Sequence, residues 1–108
     1  MSSAKAVAET LQALAAPSRL LILGRLNEGP ATVGELAQAV QMEQSAVSHQ
    51  LRLLRHLGLV AGEREGRTIV YSLYDNHVAE LLDQAIYHAE HLRLSAPDRA
   101  VSQSTRVG

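Results

Sequence analysis

The sequence predicts a mainly helical α+β domain in which helices bracket a single β-hairpin. Three observations carry this. Apolar residues recur at helical spacing over most of the 108 positions, and the pattern shortens to strand-like runs between Leu59 and Leu73. Capping and stop residues punctuate the helical stretches where one element must end and the next begin. The length supports one small domain with one core.

Val7, Leu11 and Leu14, spaced by four and three, form the stripe of an amphipathic first helix. Ala15-Ala16-Pro17 interrupts it, and Pro17 suits the first turn of a second helix running to about Leu26. Asn27-Glu28-Gly29-Pro30 is a stop and a turn. Thr32-Val33-Gly34-Glu35 reads as a capping box, opening a short third helix that ends near Val40. After Gln41-Met42-Glu43, a fourth helix is expected from about Gln44 to Leu57, closed by Gly58. Leu59–Glu63 and Thr68–Leu73 are two strand-like runs around the polar turn Arg64-Glu65-Gly66-Arg67. Asp75 caps a last helix to about Arg93. Residues 95–108, with Pro97 and few apolar groups, are expected to be a disordered tail on a domain spanning 1–94. Two short helices joined by a tight turn and followed by a hairpin describe a winged helix-turn-helix. The plainer alternative is a small α+β domain with no nucleic-acid role.

Composition narrows the functions. The chain has no cysteine, so disulfides, thiolate metal sites and thiol redox sensing are excluded. It has no Phe or Trp and three tyrosines, a poor platform for stacking single-stranded bases. No apolar run approaches the roughly 20 residues that span a bilayer, and no secretory signal is visible, so a cytoplasmic location without membrane contact is the default. The net charge of −1 hides an asymmetry. From Gln44 to Tyr74 four arginines (52, 55, 64, 67) face two acids (Glu63, Glu65), or +2; from Asp75 to Arg93 four acids (75, 80, 83, 90) face one arginine, or −3.

The fourth helix reads as a DNA-reading element. Val47, Leu51, Leu54 and Gly58 fall on one side, and Ser45, Ser48, His49 and Arg52 on another. With Gln44 at the helix start, the second set offers hydrogen-bonding groups for base edges and phosphates. Free N–H groups at that end favour a phosphate. An ordinary solvated face would carry similar residues; the basic segment, with Arg64 and Arg67 at the hairpin tip, tips the reading towards double-stranded DNA.

The last helix carries a different chemistry. Val78, Leu82, Ala85, Ala89 and Leu92 repeat at four, three, four and three, the spacing of a helix–helix seam, and Leu81 and Ile86 widen the apolar surface. A homodimer built on this helix is therefore expected, although packing on the chain's own core would give the same stripe. Beside the seam stand Asp75, His77, His88 and His91. His88 and His91 share one turn, but His77 and His88 are eleven residues apart, roughly 16 Å along the axis. One helix cannot bring both pairs to one ion. Two antiparallel copies can, which gives two equivalent sites of three imidazoles and one carboxylate, suited to zinc or cobalt.

At this point the chain resembles the ArsR/SmtB family of metal-sensing winged-helix regulators over about residues 7–93. The resemblance is carried by Gln44-Ser45-Ala46-Val47-Ser48-His49-Gln50-Leu51, by Gly66-Arg67 before Ile69-Val70-Tyr71-Ser72-Leu73, and by Asp75-x-His77 with His88-x-x-His91. It implies a homodimer on an imperfect palindrome near a metal-homeostasis gene, as a repressor whose DNA complex metal weakens. It implies DNA contacts at Gln44, Ser45, Ser48 and His49, and metal ligands at Asp75, His77, His88 and His91. It also implies a bond from the non-ligating nitrogen of His88 to the main-chain carbonyl at Gly58. The family's other sensing site uses cysteines, which are absent here. Within the family the chain is most similar to mycobacterial nickel/cobalt sensors, which puts nickel first by resemblance, whereas the ligand count favours zinc. Those sensors draw extra ligands from tail histidines; here Arg93 and Ala100 stand in the C-terminal region and Ser2-Ser3-Ala4 follows Met1. Two rivals stand beside this reading. One is a winged-helix regulator that ignores metal, or an activator or co-regulator of the same fold. The other is a metalloenzyme whose Asp/His cluster activates water; 108 residues leave little room for a substrate pocket, so no enzyme and no small-molecule substrate are expected.

Overall fold

The computed structural model describes the backbone of residues 2–106 and the side chains of residues 3–92. The order is α1 (Ser2–Leu14), α2 (Pro17–Glu28), β1 (Ala31–Thr32), α3 (Val33–Val40), α4 (Gln44–His56), β2 (Val60–Glu65), β3 (Thr68–Leu73) and α5 (Asn76–Arg106). The strands form one antiparallel sheet in the order β1-β3-β2, with Ala31 opposite Tyr71 and Gly62 opposite the same residue on the other side. This is a winged helix-turn-helix. Ile22, Leu23 and Leu26 of α2, Leu36 of α3, Val47, Leu51 and Leu54 of α4, and Val78 and Leu82 of α5 meet in one core.

Local chemistry accounts for the boundaries. Pro17 opens α2, where its missing N–H costs nothing. Arg19 then reaches back across the α1–α2 corner, its Nε donating to the Ala13 carbonyl at 2.6 Å. It satisfies an acceptor that the end of α1 would otherwise leave unpaired. The capping box at α3 is complete: Glu35 N–H donates to Thr32 Oγ1 at 3.2 Å, and Thr32 N–H donates to Glu35 Oε1 at 2.9 Å. Thr32→Ala is expected to lower stability by about 1 kcal/mol, read as a shift in the urea midpoint at unchanged slope. Between α3 and α4 the chain turns at Gln41, whose φ of 57° is left-handed. It turns again after α4 at Gly58, whose φ is +74°. There Gly58 N–H donates to the Arg55 carbonyl at 3.0 Å and Leu59 N–H to the Leu54 carbonyl at 2.9 Å, the paired bonds of a Schellman cap.

Several expectations need adjustment. The hairpin connection is two residues long, because Arg64 and Glu65 belong to β2 and pair with Ile69 and Thr68. Only Gly66 in it has positive φ, +67°, the pattern of a type II′ turn that matches strand twist. β1 was not legible, since two residues carry no periodicity. The last helix does not stop near Arg93: the described backbone continues it to Arg106, and residues 107–108 of the expected tail lie outside the described residues. No single helix among the described residues is long and apolar enough to cross a membrane; α1 and α2 pass such a test only as a pair bent by 88°.

Candidate functional site

α4 is seated by one face and open on the other. Val47, Leu51 and Leu54 are buried in the core where α4 meets α3 and β2, whereas Gln44, Ser45, His49 and Arg52 are exposed, with Ser48 half-buried at the margin. Glu43, at the N-cap, makes no side-chain bond to the first turn, so no side-chain cap competes there for the N–H groups that suit an anion. Arg55 and His56 extend the exposed polar surface towards the helix end. Gln50 was not singled out from sequence, yet it has a structural part. Its Oε1 accepts from Arg19 at 3.4 Å, and its Nε2 donates to Ser18 Oγ at 3.5 Å. These contacts tie α4 to the start of α2. The partners lie 31 and 32 residues apart, and no local signal announces such a pair.

The wing carries its charges on two faces. Arg64 and Arg67 are both exposed near the tip. Side chains alternate along a strand, so Arg64 shares the face of Val60 and Gly62, while Glu63 and Glu65 point to the other. The acids that offset the arginines in the sequence total therefore do not lie on the Arg64 face.

At the start of α5, Asp75 does two things at once. Its Oδ1 accepts the Val78 N–H at 3.1 Å, and its Oδ2 lies 3.4 Å from His77 Nδ1. The Val78 backbone bond, and after it the His77 ring, hold this carboxyl below the usual carboxylate range. A depressed folded pKa means the cap's contribution is full above the ordinary value of 3.8 and is lost as pH falls through the lowered one. His77 is open to solvent, as are His88 and His91 farther along the helix. The His91 ring stacks on Tyr87 with centroids 5.7 Å apart. Thus Asp75 meets His77, and His88 and His91 share a turn, but no group of three potential ligands converges among the described residues. That separation within one chain is what the spacing requires.

The α5 seam divides in a way the repeat did not reveal. Val78 and Leu82 are 7% and 1% exposed, occupied by the chain's own core, so they are not free to form a second interface. Leu81, Ile86 and Leu92 remain exposed, together with Val7 and Leu11 of α1. Asn27 Nδ2 donates to Asp83 Oδ1 at 2.7 Å, fastening the end of α2 to α5.

Comparison with known proteins gives this arrangement a family. Residues 16–61, from the α1–α2 corner to the start of β2, match the model described as bacterial regulatory protein, arsR family. The chain is 68% identical over 97 residues to the HTH-type transcriptional regulator NmtR of Mycobacterium tuberculosis, covering 90% of this chain and 81% of the relative. It belongs to the ArsR family. The solution structure of apo-NmtR superimposes with a TM-score of 0.75 at 69% identity, over 86% of this chain and 78% of that one. The homodimeric winged helix-turn-helix domain Mb0332 of Mycobacterium bovis gives 0.81 at 32% identity, over 88% and 87%. A cadmium resistance regulatory protein CadC homolog of Staphylococcus aureus is 36% identical, over 76% of this chain and 69% of its own. This ArsR-family chain is therefore a transcriptional regulator by kinship, and its relatives named here carry regulator names rather than enzyme names.

Proposed function

We propose that the protein is a homodimeric, cytoplasmic, metal-responsive repressor that binds an imperfect palindrome in double-stranded DNA and holds metal between the α5 helices of its two copies. The observation that carries the reading is the layout of α5. One ligand pair stands at its start, another lies eleven residues on, and exposed Leu81 and Ile86 lie between them. Two copies laid antiparallel along those apolar groups bury them and put unlike ligand pairs beside each other. The kinship to NmtR and to a cadmium-resistance regulator supports the metal assignment.

The donor set fits a divalent cation. Asp75 is held ionised by its capping bond, and His77, His88 and His91 are imidazoles open to solvent. Nickel ranks first by family likeness; three nitrogens and one oxygen suit four-coordinate zinc or cobalt by count. When bound, the metal supplies a strong directional link between these donors. Asp75 and His77 of one copy, drawn to His88 and His91 of the other, set one separation between the two α4 helices, while the operator selects another. Two ligands that prefer different dimer shapes weaken each other's binding by the same factor. With metal bound, the other ring nitrogen of His88 would donate to the Gly58 carbonyl, as the family resemblance implies, and Gly58 lies in the cap that ends α4. A pull there moves the reading helix.

On DNA, Gln44, Ser45, Ser48 and His49 face base edges and phosphates, Arg52 and the wing residues Arg64 and Arg67 the backbone. Replacing Arg64 and Arg67 together by alanine is expected to reduce the slope of log K against log salt by about 4, nearly one for each of the four phosphate contacts that a dimer would lose. Fluorescence anisotropy across a salt series measures it. The function itself is tested by titrating a candidate operator with wild type and His77→Ala while adding nickel, zinc and cobalt in turn. Metal should release wild type and not the variant. Operator binding indifferent to all three metals would favour the metal-independent regulator.

A further inference from the structure

α5 places a large ring in solvent where the fold does not require one. Tyr87 is 66% exposed, and none of the core residues packs it away. One turn later the His91 imidazole lies nearly parallel to the phenol ring, with centroids 5.7 Å apart and planes 18° from coplanar. Positions i and i+4 are neighbours on a helix surface, and offset stacking at this separation is a favoured aromatic geometry. An exposed histidine without such a neighbour samples several rotamers, and ordering it on binding costs affinity. The other ligand pair has its own device of this kind, since His77 lies 3.4 Å from Asp75 Oδ2.

We propose that Tyr87 is a positioning residue for His91 as a metal ligand. Imidazole coordinates a metal through a lone pair that lies in the ring plane. A partner stacked on the ring face therefore restrains the ring's orientation without occupying the direction from which metal is bound. Tyr87 preorganises the second ligand pair from the side, as Asp75 does the first from the helix cap. The inference rests on the reading of His91 as a ligand, and it adds a residue outside the ligand set.

The test compares wild type, Tyr87→Phe, Tyr87→Leu and His91→Ala in the full chain. In metal-free protein the His91 ring protons should show an upfield ring-current shift in wild type and Tyr87→Phe that disappears in Tyr87→Leu. Cobalt(II) titration in competition with a chelator should then give Tyr87→Leu an affinity about 3- to 10-fold weaker than wild type, the scale of one aromatic pair. Tyr87→Phe should recover it to within about twofold, because the face and not the hydroxyl does the positioning. Tyr87→Leu binding cobalt as tightly as wild type after losing the ring-current shift overturns the proposal. So does Tyr87→Phe weakening binding as much as Tyr87→Leu. His91→Ala binding cobalt like wild type overturns the ligand assignment as well, which separates that failure from a failure of Tyr87 alone.

Discussion

His88→Ala is expected to lower metal affinity at least about 100-fold, since even partners one bond removed from a metal are worth 10- to 100-fold. His88 is exposed and makes no core contact, so the same change should move the metal-free thermal midpoint little, within the ±0.5 kcal/mol typical of surface positions. Competition with a chromophoric chelator measures the first quantity and calorimetry the second. The chain has five histidines, and two of them, His49 and His56, lie exposed on α4 rather than α5. His56→Ala is the matched control, and its metal affinity should equal that of wild type. A large loss at His56 with none at His88 would move the metal to α4.

The largest effect on stability is expected at Leu51, which is 1% exposed and sits at the centre of the buried face of α4. Leu51→Ala removes packed methyl groups and leaves a cavity in the core cluster to which Ile22, Leu36 and Leu54 also belong, at a cost of about 2–5 kcal/mol. Against a total of roughly 5–15 kcal/mol for a small domain this is a substantial fraction, and the thermal midpoint should fall on the order of 10 °C or more. DNA affinity should fall with it, because the face that holds Ser45 and His49 outward is seated by this residue. Leu53, two positions on and exposed, is the contrast: Leu53→Ala should cost well under half as much in urea unfolding. Equal losses at both positions would mean that α4 is seated differently.

Much of the fold could be read in advance where short-range chemistry decides it. Thr32 and Glu35 make the capping box their spacing announces, Pro17 opens α2, Gly58 closes α4 with positive φ, and β3 spans Thr68–Leu73 as its β-branched run indicates. The candidate site was legible for the same reason. Imidazoles and a capping aspartate at fixed positions of one helix have a geometry that follows from helix pitch alone. The reading fell short at β1, whose two residues exist as a strand only because Ala31 and Thr32 meet Tyr71 and Val70 some forty positions later. It also fell short at the Arg19–Gln50 contact.

Helical period, capping and donor chemistry were thus enough to name the helices and the hairpin, the exposed polar face of α4 and the candidate ligand residues Asp75, His77, His88 and His91, because each depends on neighbours within about one turn. Only the packed structure decided how the α5 apolar stripe is divided. Val78 and Leu82 sink into the core, while Leu81, Ile86 and Leu92 stay exposed. A stripe of identical spacing serves either purpose. Which residues are taken depends on where α2 and the sheet lie against the helix, a long-range outcome that periodicity does not contain.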